Sequence, residues 1–396
     1  MPPARARLGV IFLTVLIDLI GFGIIVPILP YLAQRFGAGG LGLGILMGAY
    51  SGMQFISTLV LGRLSDRIGR RPVLLITMIL NAAGYILFAF AGGYEPLLIA
   101  RLVSGFASGN IAVAQAYIAD ITEPSERARR MGLIGAAFGI GAVTGPVLGG
   151  IAAHSGGTAA PGLVAAALSI INFALAWHIL PESLRLEHRV RRPILDWAHA
   201  KATFANPRLR PLLIVWFLVA FSWTGYITVL PLHAERDFGW QPGNLGTFFA
   251  VVGCVTITIQ GWGFGKLARR FGERPMLVTG TILMCAGIAA MAFVAMGPMF
   301  WAFTLMLAFG NSLFGPAATG LASLLADPSE QGTILGMVQA LGALGRLSGP
   351  GTFGATYDVQ GPMLAFVGTA LAMAIAIWFA SRVPHVARHG LQDSRT

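Results

Sequence analysis

Charge is what this chain has least of. Asp, Glu, Lys and Arg make up 11% of its 396 residues, against 56% hydrophobic. A soluble domain is about 25% charged, so too little charge is present to clothe two or three domain surfaces in water. Acid is the scarcer sign, with 16 Asp and Glu against 27 Lys and Arg. Cysteine is almost missing: Cys254 and Cys285 lie in apolar runs without His or Cys at metal spacing and read as packing residues. No Gly-Lys-Ser/Thr phosphate loop, His-Glu-x-x-His pair or nucleophile elbow is present. These absences argue against a nucleotide-driven pump and against an enzyme, and no cofactor is expected. Basic stripes interleaved with aromatics are also missing, so the net charge of +11 does not indicate nucleic acid.

What fills the chain is long apolar runs, with a mean hydropathy of +0.74. Twelve are long enough for a helix to cross the hydrocarbon core: about 8–33, 41–62, 73–92, 97–120, 131–153, 160–180, 210–232, 243–265, 276–296, 299–325, 332–354 and 362–381. Barrel strands would be half that length and would alternate polar and apolar residues. The start resembles a signal peptide in its basic head. Its apolar run passes Asp18 to about Leu32 without a small-residue cleavage site, so it reads as the first span. All but four of the 27 Lys and Arg fall on the side shared by both termini. Arg35 and Arg236 lie opposite, and Arg101 and Arg346 lie inside apolar runs. The positive-inside rule predicts cytoplasmic termini.

The chain repeats itself. "GRLSDRIGRRPVL" at 62 returns as "GKLARRFGERPML" at 265, and "EPSERARRMGLIGAAFGIGAVTGPVLGG" at 123 as "DPSEQGTILGMVQALGALGRLSGPGTFG" at 327. The expected architecture is therefore all-α: twelve membrane helices in two pseudo-symmetric six-helix bundles. They occupy residues 1–180 and 210–396, the latter with a short cytoplasmic tail, and a polar cytoplasmic linker covers 181–209. Parallel halves of this kind place a site between them near the midplane.

These motifs resemble the major facilitator superfamily, and within it the drug/proton antiporters, over nearly the whole chain. Gly62, Asp66, Arg67, Gly69, Arg70 and Arg71 match the family's Gly-x-x-x-Asp-Arg-x-Gly-Arg-Arg loop. "DLIGFGIIVPILP" is similar to the first-helix signature and "LLIARLVSGFASGN" to the fourth, with Arg101 as its arginine. "GIGAVTGPVLGG", with Gly141, Gly145, Pro146, Gly149 and Gly150, is similar to the fifth-helix antiporter signature. "AYIADITEPSERARRMG" and "LPES" resemble bacterial tetracycline/proton antiporters. The resemblance implies a multi-pass protein of a bacterial inner membrane, a proton as coupling ion, a role for Arg101 in coupling, and a charged loop that latches the halves on the cytoplasmic side. The chain also departs from that subfamily. Where it has acidic residues in helices 3 and 9, Gly84 and Met284 align here, and Thr256 lies near its helix-8 histidine position.

An ionisable group inside a membrane helix is costly and is a functional candidate by default. Asp18 is the one acid deep in a span, about 15 Å into it at 1.5 Å per residue. It can load and release a proton as access alternates, or serve as the structural partner of an arginine. Arg101, in the same half, and Arg346, mid-span in helix 11, are candidate partners. Arg346 cannot shed its charge and needs an anion, carbonyls or water. An anionic substrate group would serve. Gln54, Asn81, Gln115, Tyr117, Tyr226, Asn311 and Gln339 are polar candidates for a cavity, with Asn110, Asn172 and Gln260 on the same spans. Phe22, Phe138, Trp223 and Phe314 either line a drug pocket or pack.

In the charged loop, Gly62 and Gly69 suit close helix approach and a tight turn. Asp66 could face a helix N-terminus, and Arg70 could pair with Asp120. The expected function is proton-coupled efflux of a lipophilic, drug-like molecule such as tetracycline, by a monomer whose partners are that molecule, protons and lipid. Transport of a native metabolite, lipid or anionic solute is the alternative.

Overall fold

The computed structural model describes residues 4–183, 204–293, 298–325 and 331–384, and all regular structure among them is helical. Most of the expected linker lies outside these residues. The first half comprises α1 (Ala4–Ile25), α2 (Leu29–Arg35), α3 (Gly40–Ile68), α4 (Arg70–Ala89), α5 (Tyr94–Ala107), α6 (Asn110–Ile121), α7 (Pro124–Gly156) and α8 (Ala160–Ile179). The second comprises α9 (Arg210–Phe238), α10 (Pro242–Thr258), a π-helical turn (Ile259–Gly263), α11 (Phe264–Phe271), α12 (Glu273–Met291), α13 (Pro298–Leu325) and α14 (Gln331–Ala380).

Ten helical stretches among the described residues are long and apolar enough to cross a bilayer. That over Ile334–Ala380 has 47 residues, about 70 Å of helix, more than twice a hydrocarbon core. It breaks at Gly361, where φ is 84° and Pro362 follows, and so supplies two crossings. With α7, 33 residues long, the twelve spans of the hydropathy pattern are present. The fourth span is not the single rod that hydropathy suggests. It breaks between α5 and α6 at Ser108–Gly109, where a Cβ on Gly109 would clash with the Ser57 hydroxyl of α3 and lie 2.7 Å from the Thr58 nitrogen.

The sequence repeat is also a repeat of contacts. On α7, Gly145 faces Gly23 and Gly149 faces the Ile24 carbonyl of α1. On α14, Gly345 and Gly349 face the Phe217 and Phe221 carbonyls of α9. Small residues let membrane helices approach this closely. The turns at Gly69 and Gly272 both need positive φ, 110° and 85°, which glycine adopts without a steric cost. Arg71 donates to the Trp177 carbonyl at 2.8 Å, and Arg274 donates to the Ser381 carbonyl at 2.6 Å.

The halves meet where α3 packs on α14 and α7 on α10. Among the described residues, every hydrogen bond between halves lies toward the end away from the basic loops. Tyr31 donates to the Trp240 carbonyl at 2.8 Å and Gln34 to Glu235 at 2.5 Å. The backbone N–H groups of Gly40 and Leu41 donate to Asp358 at 2.6 and 2.8 Å, and Thr228 donates to the Met47 sulfur at 3.2 Å. At the basic end an open surface pocket of about 410 Å³ lies within the first half, lined by Thr58, Gly62, Asp66, Arg70 and Ala116.

Candidate functional site

The first half has two buried apolar clusters. One, near the basic end, includes Val15, Met78 and Val113. The other includes Ile24, Tyr85 and Leu97. Between them α1 carries Asp18, 3% exposed. Its Oδ1 accepts from Asn81 Nδ2 of α4 at 2.8 Å, and its Oδ2 from Asn110 Nδ2 of α6 at 2.5 Å. Both asparagines are fully buried. Asn110 reaches Asp18 because the fourth span breaks just before it and α6 starts there. One turn along α1, Thr14 hydrogen-bonds the Val10 carbonyl and Asn172.

Each asparagine puts its N–H₂ on the carboxyl and leaves its own Oδ1 buried and unpartnered. An ionised Asp18 only accepts, so two amide donors suit it. A protonated Asp18 must donate one O–H. Rotating either side-chain amide presents the idle Oδ1 as its acceptor. The pair can therefore satisfy the carboxyl in both protonation states without backbone movement.

Arg101 of α5 is buried beside this cluster but does not pair with Asp18. Among the described residues no ion pair joins Asp18 to Arg101 or to Arg346. Arg101 Nε donates to the Leu46 carbonyl at 3.3 Å. Its guanidinium lies 4.4 Å from the Tyr50 ring centroid and 5.8 Å from that of Phe22. These rings pack at 4.8 Å. A desolvated cation over an aromatic face gains about 2 kcal/mol, which offsets part of the cost of a missing carboxylate. Tyr50 donates to Ser108 at 2.7 Å and lies within electrostatic reach of Asp18, Arg101 and Arg346.

The remaining cavity candidates divide. Gln54, Asn311, Phe22 and Trp223 are half-buried, and Gln115 and Gln339 are exposed. Tyr117 belongs elsewhere: its hydroxyl donates to the Pro181 carbonyl at 2.8 Å and secures the end of α8. Tyr226 is a core residue, fully buried between Trp223 and Phe366. Phe314 is buried edge-on to Trp216 at 5.3 Å. The side chain of Phe138 lies outside the described residues.

The charged loop is a network within the first half. Arg70 bonds Asp66 at 2.6 Å, Asp120 at 3.2 Å and the Ser65 hydroxyl at 2.5 Å. The Arg70–Asp120 pair is the one the sequence suggested. Two expectations need correction. Asp66, near the end of α3, does not cap the start of α4: its carboxylate is held by the Arg70 guanidinium across the Gly69 turn. The anion at the start of α4 is Glu182, which accepts from the backbone N–H of Arg70 at 2.9 Å and of Arg71 at 3.2 Å. Nor does Gly62 mark a close helix approach, since nothing lies within 4 Å of where its Cβ would be. Arg67 is exposed, and Arg71 also lies 5.3 Å from the Trp177 ring. The only sequence signal for Glu182 was the "LPES" run, which carries no marker of a cap across elements.

The fifth-helix signature faces two ways. Gly141, Gly145, Gly149 and the Pro146 ring face α1, while Gly150 and the Pro146 carbonyl face the second half. A Cβ on Gly246 would lie 3.0 Å from the Pro146 carbonyl oxygen.

Comparison with known proteins places this architecture. The Major Facilitator Superfamily model matches residues 11–272 and 212–395. A tetracycline resistance protein of class C from Escherichia coli is 33% identical over 355 residues, covering 86% of this chain and 87% of the relative. The crystal structure of the human organic anion transporter MFSD10 aligns with a TM-score of 0.72 and 25% identity, over 96% of this chain and all of that one. A bacterial homologue of the human lysosomal transporter Spinster, in an inward-facing, unoccupied conformation, shares the fold with a TM-score of 0.79 at 17% identity, over 97% of this chain and 98% of that one.

Proposed function

This chain belongs to the major facilitator superfamily, and we propose that within it the protein is a proton-coupled exporter of a lipophilic, drug-like organic molecule, working by alternating access. It is a multi-pass membrane transporter and not an enzyme. The observation that carries the finer reading is Asp18, a carboxyl buried between two apolar clusters and held by two amides that can serve either protonation state. The named activities of similar proteins, tetracycline resistance and organic anion transport, support an organic cargo.

The positive-inside rule puts the basic end and both termini in the cytoplasm of a bacterial cell. The seal at Asp358, Tyr31 and Gln34 then faces outward, and among the described residues no hydrogen bond joins the halves at the inner end. Cargo enters from the cytoplasm between the halves. Rocking breaks the outer seal and brings the basic ends together, cargo leaves, and a proton enters to Asp18. Neutral Asp18 with rotated amides favours the return, and the proton leaves to the cytoplasm. The protein works as a monomer, because both halves of the gate lie on one chain.

Proteoliposomes with an imposed pH gradient test this reading. Gradient-driven flux of at least one compound from a broad drug panel is expected, with loss of that flux in Asp18→Asn. A protein that moves nothing in response to the gradient, or an Asp18→Asn variant as active as the parent, overturns it.

A further inference from the structure

Three charged side chains sit deep in this molecule: Asp18, Arg101 and Arg346. Asp18 is taken by its two asparagines, and Arg101 by a carbonyl and two rings. Arg346 is half-buried in α14, and among the described residues it has neither an ion pair nor a hydrogen bond. It folds back along its own helix, so that a Cβ on Gly342 would lie 3.2 Å from its Nη1 and 3.8 Å from Trp216 of α9. The Trp216 atom on that side is Cε3, so its six-membered ring lies beside Arg346, and its Nε1 is buried without a partner. Phe314 stands edge-on to the Trp216 ring. A guanidinium has five N–H donors and an indole one, and neither has an acceptor to give. Burying donors without acceptors is costly. The cluster has a surplus of one positive charge, a surplus of donors, and an aromatic wall.

We propose that Arg346 is the recognition site for an anionic group on the cargo, so that the transported molecule is an aromatic monoanion, a carboxylate or sulfonate, whose ring packs on Trp216 and Phe314. The proposal rests on the transport reading above and names its substrate class. A planar carboxylate matches the fork of a guanidinium.

The test is equilibrium binding to the purified full-length chain in detergent, without any gradient, by ligand-induced shift of the melting temperature and by quenching of tryptophan fluorescence. The probes are matched pairs: naphthalene-2-carboxylate against naphthalene-2-carboxamide, and further aromatic carboxylates and sulfonates against their neutral amides. At least one anion is expected to bind tenfold or more tightly than its amide. Arg346→Met should abolish that preference, Arg346→Lys should retain part of it, and Trp216→Phe should weaken the anion several-fold. Should Arg346→Met fail to fold, the Lys and Phe variants carry the same comparison. Equal binding of every anion and its amide overturns the proposal, as does a preference that survives the Arg346 variants. Because no gradient enters, these outcomes are separate from the flux experiment. Gradient-driven flux of neutral compounds with no anion preference would retain the exporter and discard the anion site.

Discussion

Asp358 of α14 caps α3 from the other half of the molecule. Its carboxylate accepts from the backbone N–H of Gly40 at 2.6 Å and of Leu41 at 2.8 Å. The N-cap residue, Gly39, has no side chain to do this. A carboxylate at a helix N-terminus gains both hydrogen bonds and the helix dipole. This cap must break whenever the halves separate at that end.

Asp358→Ala should therefore shift the balance toward the state open at the end away from the basic loops. Loss of a cap is worth about 1–2 kcal/mol, roughly a five- to thirtyfold change in the ratio of states. Spin labels at Arg35 and Gly243, both open positions on opposite halves, would report it as growth of a longer distance in electron-resonance measurements. An unchanged distance distribution would count against the cap as part of the gate.

Asn110→Ala should leave expression and folding intact but slow gradient-driven flux by tenfold or more. It removes one of two donors to a buried carboxylate, a hydrogen bond to a charged group worth about 1.5–3 kcal/mol. Asn81→Ala should behave alike, because its bond to the other oxygen is equivalent in kind. Flux equal to the parent in both variants would mean that the amides do not serve the proton step.

At the basic end two acids have different duties. Glu182→Ala removes the anion at the start of α4 and should lower the melting temperature, for about 1 kcal/mol. Asp66→Asn leaves Arg70 on Asp120 and Ser65, so insertion and stability should survive while transport weakens, as expected of a residue that serves the closed state of this end. Normal turnover in Asp66→Asn would refute the latch.

Three glycines separate packing from motif. Gly149→Ala places a methyl against the Ile24 carbonyl, and Gly145→Ala one 2.7 Å from the Gly23 Cα. Each should cost about 1–3 kcal/mol as overpacking. Gly62→Ala meets nothing within 4 Å and should be close to neutral in stability. Thermal unfolding in detergent would rank them, and a Gly62→Ala as damaging as Gly149→Ala would contradict the packing account.

Much of the architecture was legible because lipid imposes simple rules. Each crossing needs about 20 apolar residues and an internally bonded backbone, so spans can be counted directly. A repeat at an offset of about 203 residues implies similar halves. Asp18, Arg101 and Arg346 stand out because charge in a span is rare. Arg70–Asp120 followed from placing both at the basic ends of neighbouring spans.

Partnership was not legible, because it depends on rotation and depth to within a few ångströms. Asp18 could have met Arg101. Instead the fourth span is interrupted at Ser108–Gly109, where Gly109 packs against Ser57 and Thr58 of α3, α6 starts at Asn110, and the carboxyl goes to two amides. Glu182 and Asp358 cap helices 112 and 318 residues away in sequence, and no local pattern marks a cap supplied by another element. Tyr117 and Tyr226 were equal candidates by composition, yet packing put one hydroxyl on a carbonyl and the other in the core. Hydropathy and charge thus determined the crossings and their repeat. Helix breaks, glycine contacts and the sealed end were decided only when the helices packed, since only then does each buried polar group find, or fail to find, its partner.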